Sequence, residues 1–393
     1  MKKSDDSNQA EIIFLNPHVT HVGKIISHFF NGKRNYGRYR HLAFSNFIKY
    51  RVTFLFNGEN SSFRRPWIRR LLSHRSLVWL EVLPWMAINK VNPFTYSLKF
   101  SPKSISTGNA ILAFSTDLIH YSEKMIIELE KFNGFIYIHM THYYLNPVKL
   151  SEIISRIKNP VLLSEGSLEE NEFFRHHFKS KLDHIQIPLV IDRRFLPANA
   201  ESSNRILKCL VVGSVPQINN FDYVYFFGEG AYLHPLRKIL YESQDSLRNE
   251  FVCRGRFMDL AEPLKSRINN VSSEKSFFVY DSFDIVEEYK KYYMFISPEE
   301  NIGLPSANFI DGMIAGSAFL GGNDAIYSGI GMIPGTHYIS YSGMNLKELV
   351  ETVNYYQCNP RELEAIARAG QKFAEENFSE QHVVSKLNQL FTN

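Results

Sequence analysis

Cysteine is scarce, with three in 393 residues at Cys209, Cys253 and Cys358. They are scattered, form no CxxC pair and offer no zinc spacing. Neither a disulfide framework nor a structural zinc site is expected, and a reducing compartment fits best. Long apolar runs are also missing. The most apolar long stretch, 76–88, carries Glu81 and is too short to span a bilayer. The opening MKKSDDSNQAEIIF has two lysines but no apolar segment ahead of the first strand, so no secretion signal is expected. No GxGxxG follows a strand. Gly228-Glu229-Gly230 lacks the rest of that motif, which disfavours a nicotinamide dinucleotide. No D-x-D pair occurs, and Asp281 and Asp284 stand three apart. Repeats and low-complexity tracts are absent.

Apolar residues make up 44% of the chain and charged residues 21%, a balance that excludes a disordered, collagenous or coiled-coil architecture. The length predicts two domains. Short apolar runs alternate with helical stretches. Strands are predicted over Glu11–Leu15, Arg51–Phe56, Ala110–Phe114, Gly134–His139, Val161–Ser164 and Ile185–Ile191, with helices such as Ser122–Lys131 and Lys149–Ile157 between them. A polar segment with Pro197, 192–204, reads as a linker. A second series follows, with strands over Ile206–Val212, Glu250–Arg254, Ser276–Val279, Tyr293–Ser297, Ser317–Gly321 and His337–Tyr341. Its helices fall at Pro235–Gln244, Ser306–Ala315, Asn345–Tyr356 and Pro360–Asn377. The tail places Val383, Val384, Leu387, Leu390 and Phe391 on one helical face. This alternation predicts α/β domains with doubly wound parallel sheets, one over 1–195 and one over 205–378, and a terminal helix over 379–393 that packs back on the first.

Charge is unevenly spread. Residues 21–100 hold 14 basic and two acidic side chains, a net +12 in a chain whose total is +4. One end of the molecule is therefore built to meet anions. Within it, Arg64, Arg65, Arg69 and Arg70 bracket Trp67 and Ile68, a pattern that fits an acceptor-binding or membrane-facing surface on anionic lipid. A solvated helix would carry the same charges. No nucleic-acid signature accompanies them, and no nucleic-acid partner is expected.

The most informative segment is 289–322, YKKYYMFISPEENIGLPSANFIDGMIAGSAFLGG. A strand ends at Glu299 and Glu300, the chain turns through Gly303-Leu304-Pro305, and a helix opens at Ser306, which can cap it. A helix start favours phosphate through its dipole and free N–H groups. A carboxylate one loop earlier can accept two hydrogen bonds from a ribose diol. Together these residues predict a nucleotide site. At the second domain's first strand, Gly213 and Ser214 follow Leu210-Val211-Val212, and a glycine there lets a diphosphate approach the backbone.

The run resembles the donor-binding motif of the GT-B glycosyltransferases. Ser297-Pro298 and Glu300-Asn301-Ile302-Gly303-Leu304-Pro305 match its first half, and Asp311-Gly312-Met313-Ile314-Ala315-Gly316 its second. Asp311 stands where the family carries a second glutamate, after three inserted residues. The segment is also similar to the fucosyltransferase branch, without that branch's Thr-Glu-Lys. The resemblance covers about residues 205–390 and implies two Rossmann-like domains facing a cleft, a nucleotide-sugar donor, and Arg254 or Arg256 on the donor diphosphate. It implies no metal or other cofactor, because arginine, lysine and helix dipoles take the ion's place. It also leans towards retention of anomeric configuration.

In the first domain, His142 past the 134–139 strand, as base or sugar-binding group, and Glu165 after the 161–164 strand, for acid/base or nucleophilic work, are the catalytic candidates. The expected function is glycosyl transfer to a glycan or lipid-linked glycan in surface polysaccharide or lipopolysaccharide synthesis. The expected place is the cytoplasm, with peripheral attachment to the inner membrane. His234-Pro235 keeps open a CMP-sugar transferase of the same form. A nucleotide-sugar epimerase and a non-catalytic binding protein are the remaining alternatives.

Overall fold

The computed structural model describes residues 11–15, 51–55, 97–99, 101–178, 182–191, 195, 205–259, 268–272, 284–306, 308–322 and 324–392. The chain divides into two compact units. The first comprises Met1–Ser164, His177–Ile185 and Val383–Asn393, and the second Glu165–His176 and Gln186–His382. The 165–176 segment belongs to the second unit rather than to the domain expected over 1–195, and the terminal helix from Val383 onward belongs to the first.

The first sheet contains β1 (Glu11–Leu15), β2 (Arg51–Leu55), β3 (Ser97–Lys99), β4 (Ala110–Phe114), β5 (Phe135–His139), β6 (Pro160–Ser164) and β7 (Asp183–Gln186). Their order is β3-β2-β1-β4-β5-β6-β7, and β3 through β6 pair in parallel. Runs such as AILAF in β4 are buried at every position, as strands covered on both faces require. The described helices here are α1 (Ser115–Leu118), α2 (Glu123–Glu130) and α3 (Pro147–Arg156); α4 (Glu172–His177) belongs to the second unit as far as His176. Ser122 accepts from Met125 N to cap α2, and Asn146 accepts from Lys149 N ahead of Pro147 to start α3.

The second sheet contains β8 (Ile206–Gln217), β9 (Phe251–Asp259), β10 (Ile268–Ser272), β11 (Tyr292–Ile296), β12 (Ala318–Gly321) and β13 (Ile339–Ser340), in the order β10-β9-β8-β11-β12-β13. Among its described strands, β10 pairs antiparallel and the others in parallel. The helices are α5 (Phe221–Phe227), α6 (Pro235–Glu242), α7 (Ile285–Lys290), α8 (Asn308–Ile314), α9 (Asp324–Gly329), α10 (Leu346–Cys358), α11 (Pro360–Asn377) and α12 (Glu380–Thr392). Alternate strand residues feed two cores. Leu210, Val212, Phe295 and Phe319 pack with Phe309, Met313 and Tyr327 on one face. Cys209, Val211, Met294, Ile296 and Leu320 pack with Leu240, Leu349 and Leu363 on the other. From Val383 onward, α12 belongs to the first unit, where Tyr137 Oη donates to Leu390 O at 2.9 Å and the Tyr137 and Phe391 rings lie 5.0 Å apart.

Among the described residues, no helix is long and apolar enough to cross a membrane. The expected linker falls almost wholly outside the described residues, as does the strand expected over 276–279.

Candidate functional site

In an open α/β sheet, ligands bind beyond the carboxyl ends of the strands where the strand order reverses. In the second unit that point lies between β8 and β11, the two strands from which the chain proceeds to opposite edges. Gly213 lies on β8 two residues past Val211, the last position paired to β11. Its φ of +134° is a left-handed value that favours glycine. A Cβ here would lie 2.8 Å from Arg237 Nη1 and 2.9 Å from Cζ, so the missing side chain makes room for a guanidinium.

Arg237 comes from α6. Leu233, Leu236, Leu240 and Tyr241 form the buried stripe of that segment, and Arg237 sits among them, 2% exposed. Its Nη1 donates to Ser214 O at 2.8 Å and its Nη2 to Ser306 Oγ at 3.2 Å. Its Nε is buried with no partner, and among the described residues it makes no ion pair with a carboxylate. A buried guanidinium with no carboxylate in direct contact is costly, and an anion at this strand tip would relieve that cost. In the sequence Arg237 only follows the His234-Pro235 pair and is not among the expected donor-site residues. The available signal was an arginine on an apolar helical stripe.

Glu300 lies across the same point, in the turn after β11. Glu300 N donates to Leu304 O at 2.9 Å and Gly303 N to Glu300 O at 3.0 Å, which closes the turn, while Gly303 takes φ +80°. Asn301 pins it from outside: its Oδ1 accepts from Tyr223 Oη at 2.5 Å and its Nδ2 donates to Tyr232 O at 3.2 Å. The Glu300 side chain is half-buried, but its Oε2 is enclosed and meets no partner. Burial pushes its carboxyl up to about 8. The neighbouring Glu165 pushes the same way, and Arg237 opposes both.

Glu165 is thus brought to Glu300 within the second unit. Contact between its segment and the turn explains this. A side chain on Gly166 would meet Gly303 O at 2.8 Å, and one on Gly303 would meet Asn171 Nδ2 at 2.7 Å, so the two backbones approach closely. Gln186 Nε2 donates to Glu165 O at 3.0 Å and holds the segment from the other end.

Arg256 pairs in register with Ser214, and its Nε donates to Ser214 Oγ at 3.0 Å, which puts it beside Gly213. Arg254 is held by Glu288 at 3.2 Å with both side chains buried. Glu299 Oε1 accepts from Gly322 N at 2.9 Å and Tyr327 Oη at 2.5 Å, which ties the ends of β11 and β12 together. Ser306 is buried with its hydroxyl on Arg237, and Leu304 and Asp311 are buried as well. The helix that follows, α8, has seven residues. His234 Nδ1 donates to Pro298 O at 3.0 Å, giving the His-Pro pair a structural task at this loop. His142, by contrast, is an exposed residue of the first unit at φ 53°, with Nδ1 3.3 Å from Tyr144 Oη. Arg64, Arg65, Trp67, Arg69 and Arg70 lie outside the described residues.

No protein-family model matches the sequence, and no curated protein matches it. Solved structures do. HepE from Anabaena, in complex with UDP and glucose, is 10% identical, with 98% of this chain and 99% of that one covered and a TM-score of 0.51. Sucrose-phosphate synthase from Thermosynechococcus elongatus is 10% identical, with 98% of each chain covered and a TM-score of 0.50. The chain has the GT-B fold. The α/β class and paired parallel sheets expected from the sequence are those of this fold, and the likeness extends over nearly the whole chain rather than the second unit alone.

Proposed function

We propose that this chain is a glycosyltransferase that holds a nucleotide-activated sugar at the β8–β11 switch point and passes the sugar to an acceptor hydroxyl. The observation that carries this reading is Arg237, a buried cation at a strand tip whose Nε has no partner and which, among the described residues, forms no ion pair with a carboxylate. A donor diphosphate supplies the anion it lacks. Glu300, whose Oε2 has no protein partner, accepts hydrogen bonds from the ribose diol. The similar HepE was solved with UDP and glucose, which supports UDP as the nucleotide.

In the transfer, the bond from C1 of the sugar to the diphosphate oxygen breaks, and its electron pair passes to that oxygen. The acceptor oxygen forms the new bond to C1, and the acceptor proton is released. Arg237, Arg256 and the Ser306 hydroxyl surround the place where negative charge grows on the leaving group. Retention of configuration follows the motif's resemblance. A ribose diol is held best by the ionised carboxyl, which accepts on both oxygens, so donor binding draws a proton off Glu300 and tightens as the pH rises towards 8.

The finer reading is transfer to a glycan or lipid-linked glycan in surface-polysaccharide assembly, with the basic 21–100 region at the acceptor or on an anionic membrane face. Incubating the purified chain with a panel of UDP-sugars should release UDP slowly through hydrolysis and faster once an acceptor glycan is added. No UDP release from any of them would rule out transfer, and interconverted UDP-sugars would establish an epimerase instead. Membrane docking predicts sedimentation with anionic but not neutral vesicles. That binding should be lost in high salt and on changing Arg64, Arg65, Arg69 and Arg70 to Ser, since each basic residue contributes about 1 kcal/mol near an anionic surface. Free chain in low-salt anionic vesicles would leave the basic region to the acceptor alone.

A further inference from the structure

The first sheet has its own reversal point, between β1 and β4. Directly after β4 the chain enters α1, whose third residue is Asp117. The turn is fixed: Ser115 Oγ donates to Thr141 O at 2.5 Å, and His139 Nδ1 lies 2.6 Å from Thr141 Oγ1, so the ends of β4 and β5 are laced together. Asp117 is 5% exposed, and its Oδ2 is buried without a hydrogen-bond partner. Two other buried polar side chains of this unit, Thr53 and Ser164, are satisfied inside the protein, by Glu11 and His184. A buried carboxyl oxygen that bonds to nothing weakens the fold it sits in, so its use must lie with something that arrives.

We propose that Asp117 is a carbohydrate-binding residue of the first unit, which accepts a hydrogen bond from a sugar hydroxyl of the acceptor at the β1–β4 switch point. The proposal rests on the transferase reading for the identity of the bound molecule. The chemistry of the group narrows the ligand. An anion would be repelled. Among the described residues, no group of three or more His, Cys, Asp or Glu side chains is placed to hold a metal ion. A neutral hydroxyl needs only one acceptor, and Asp117 Oδ2 supplies it.

The site should also respond to pH. Burial alone pushes the Asp117 carboxyl up to about 7. The elements packed against α1 are β4, which carries no titratable group, the 143–145 turn and α3. Their titratable groups are Tyr143 and Tyr144, with His142 just before them, and Lys149, Glu152 and Arg156; His120 follows α1. None makes an ion pair with Asp117, and Arg156 is engaged by Glu123 and Glu130. A sugar hydroxyl is best held by the ionised carboxyl, so affinity should fall about tenfold from pH 8 to pH 6, in step with the ionised fraction.

Thermal melting of the full chain and of Asp117→Asn tests this at pH 6 and pH 8, with UDP in one arm and glucose, galactose, mannose, maltose and lactose in the other. At least one sugar should raise the melting temperature of the native chain, more at pH 8 than at pH 6, and should leave Asp117→Asn unmoved. The variant alone should melt at or above the native chain at pH 8. The proposal is overturned if no sugar acts, if the variant responds equally, or if the variant melts lower at both pH values, which would make the carboxyl structural. UDP should shift both proteins alike. A missing UDP shift counts against the donor site and leaves the sugar result to be read on its own.

Discussion

In Gly213→Ala, nucleotide affinity should fall by about 100-fold or more, equivalent to roughly 2.7 kcal/mol. The added Cβ would stand 2.8 Å from Arg237 Nη1 at a backbone φ of +134°. Two costs follow. The left-handed backbone is strained for alanine, at about 1–3 kcal/mol of stability. The guanidinium must also leave its contacts with Ser214 O and Ser306 Oγ, and displacing one partner of a buried charged contact costs about 2–5 kcal/mol in binding. Gly228→Ala separates the two costs. Gly228 has φ +90°, but a Cβ there meets nothing within 4 Å. That variant should lose stability and keep its affinity. Calorimetry with UDP, beside a thermal melt of each variant, reads both quantities, and equal affinity in Gly213→Ala and the native chain would remove Arg237 from the site.

Glu300→Gln should bind nucleotide about tenfold or more weakly, the equivalent of losing a charged hydrogen bond worth roughly 1.5–3 kcal/mol. Its stability should move the other way. The Glu300 carboxyl is pushed up to about 8 in the folded chain, against an ordinary value of 4.5. Between those values the folded state holds a proton that the unfolded state has lost. The native chain therefore keeps this stability below pH 4.5 and loses it as pH rises through 8. Glutamine has no proton to lose. Glu300→Gln should melt with the native chain near pH 5 and above it near pH 9, by an amount on the order of a few kcal/mol at most. A variant that melts lower at both ends of the range, with unchanged UDP affinity, would make Glu300 a structural residue.

Much of the fold is legible because buried parallel strands are short apolar runs. β1 and β4 have the bounds that EIIFL and AILAF predict. β8 runs beyond the Ile206–Val212 strand that the sequence predicts, because Gly213 reads as a strand end. The glycine instead accommodates Arg237. Pro216 lies beyond the last residue paired to β11, and on its other side it remains in register with Met258 of β9. β3 and β10, SLK and INNVS, escape notice because short edge strands have no apolar run to announce them.

The candidate site is legible in part for the same kind of reason. Glu300 and the Gly303 turn follow from a local motif. The approach of Glu165 to Glu300 depends on Gly166 meeting a turn more than a hundred residues away, which no local pattern encodes. Asp117 escaped because a polar residue after a strand is ordinary, and only its enclosed, unpartnered oxygen sets it apart.

The central claim is that the β8–β11 switch point holds a nucleotide diphosphate against Arg237. Calorimetric titration of the native chain with UDP, UMP and CMP tests it most directly. UDP should bind, UMP should bind more weakly for want of the second phosphate, and Gly213→Ala should lose the difference between them. If UDP and UMP bind equally, or neither binds, the diphosphate is not the anion that Arg237 lacks.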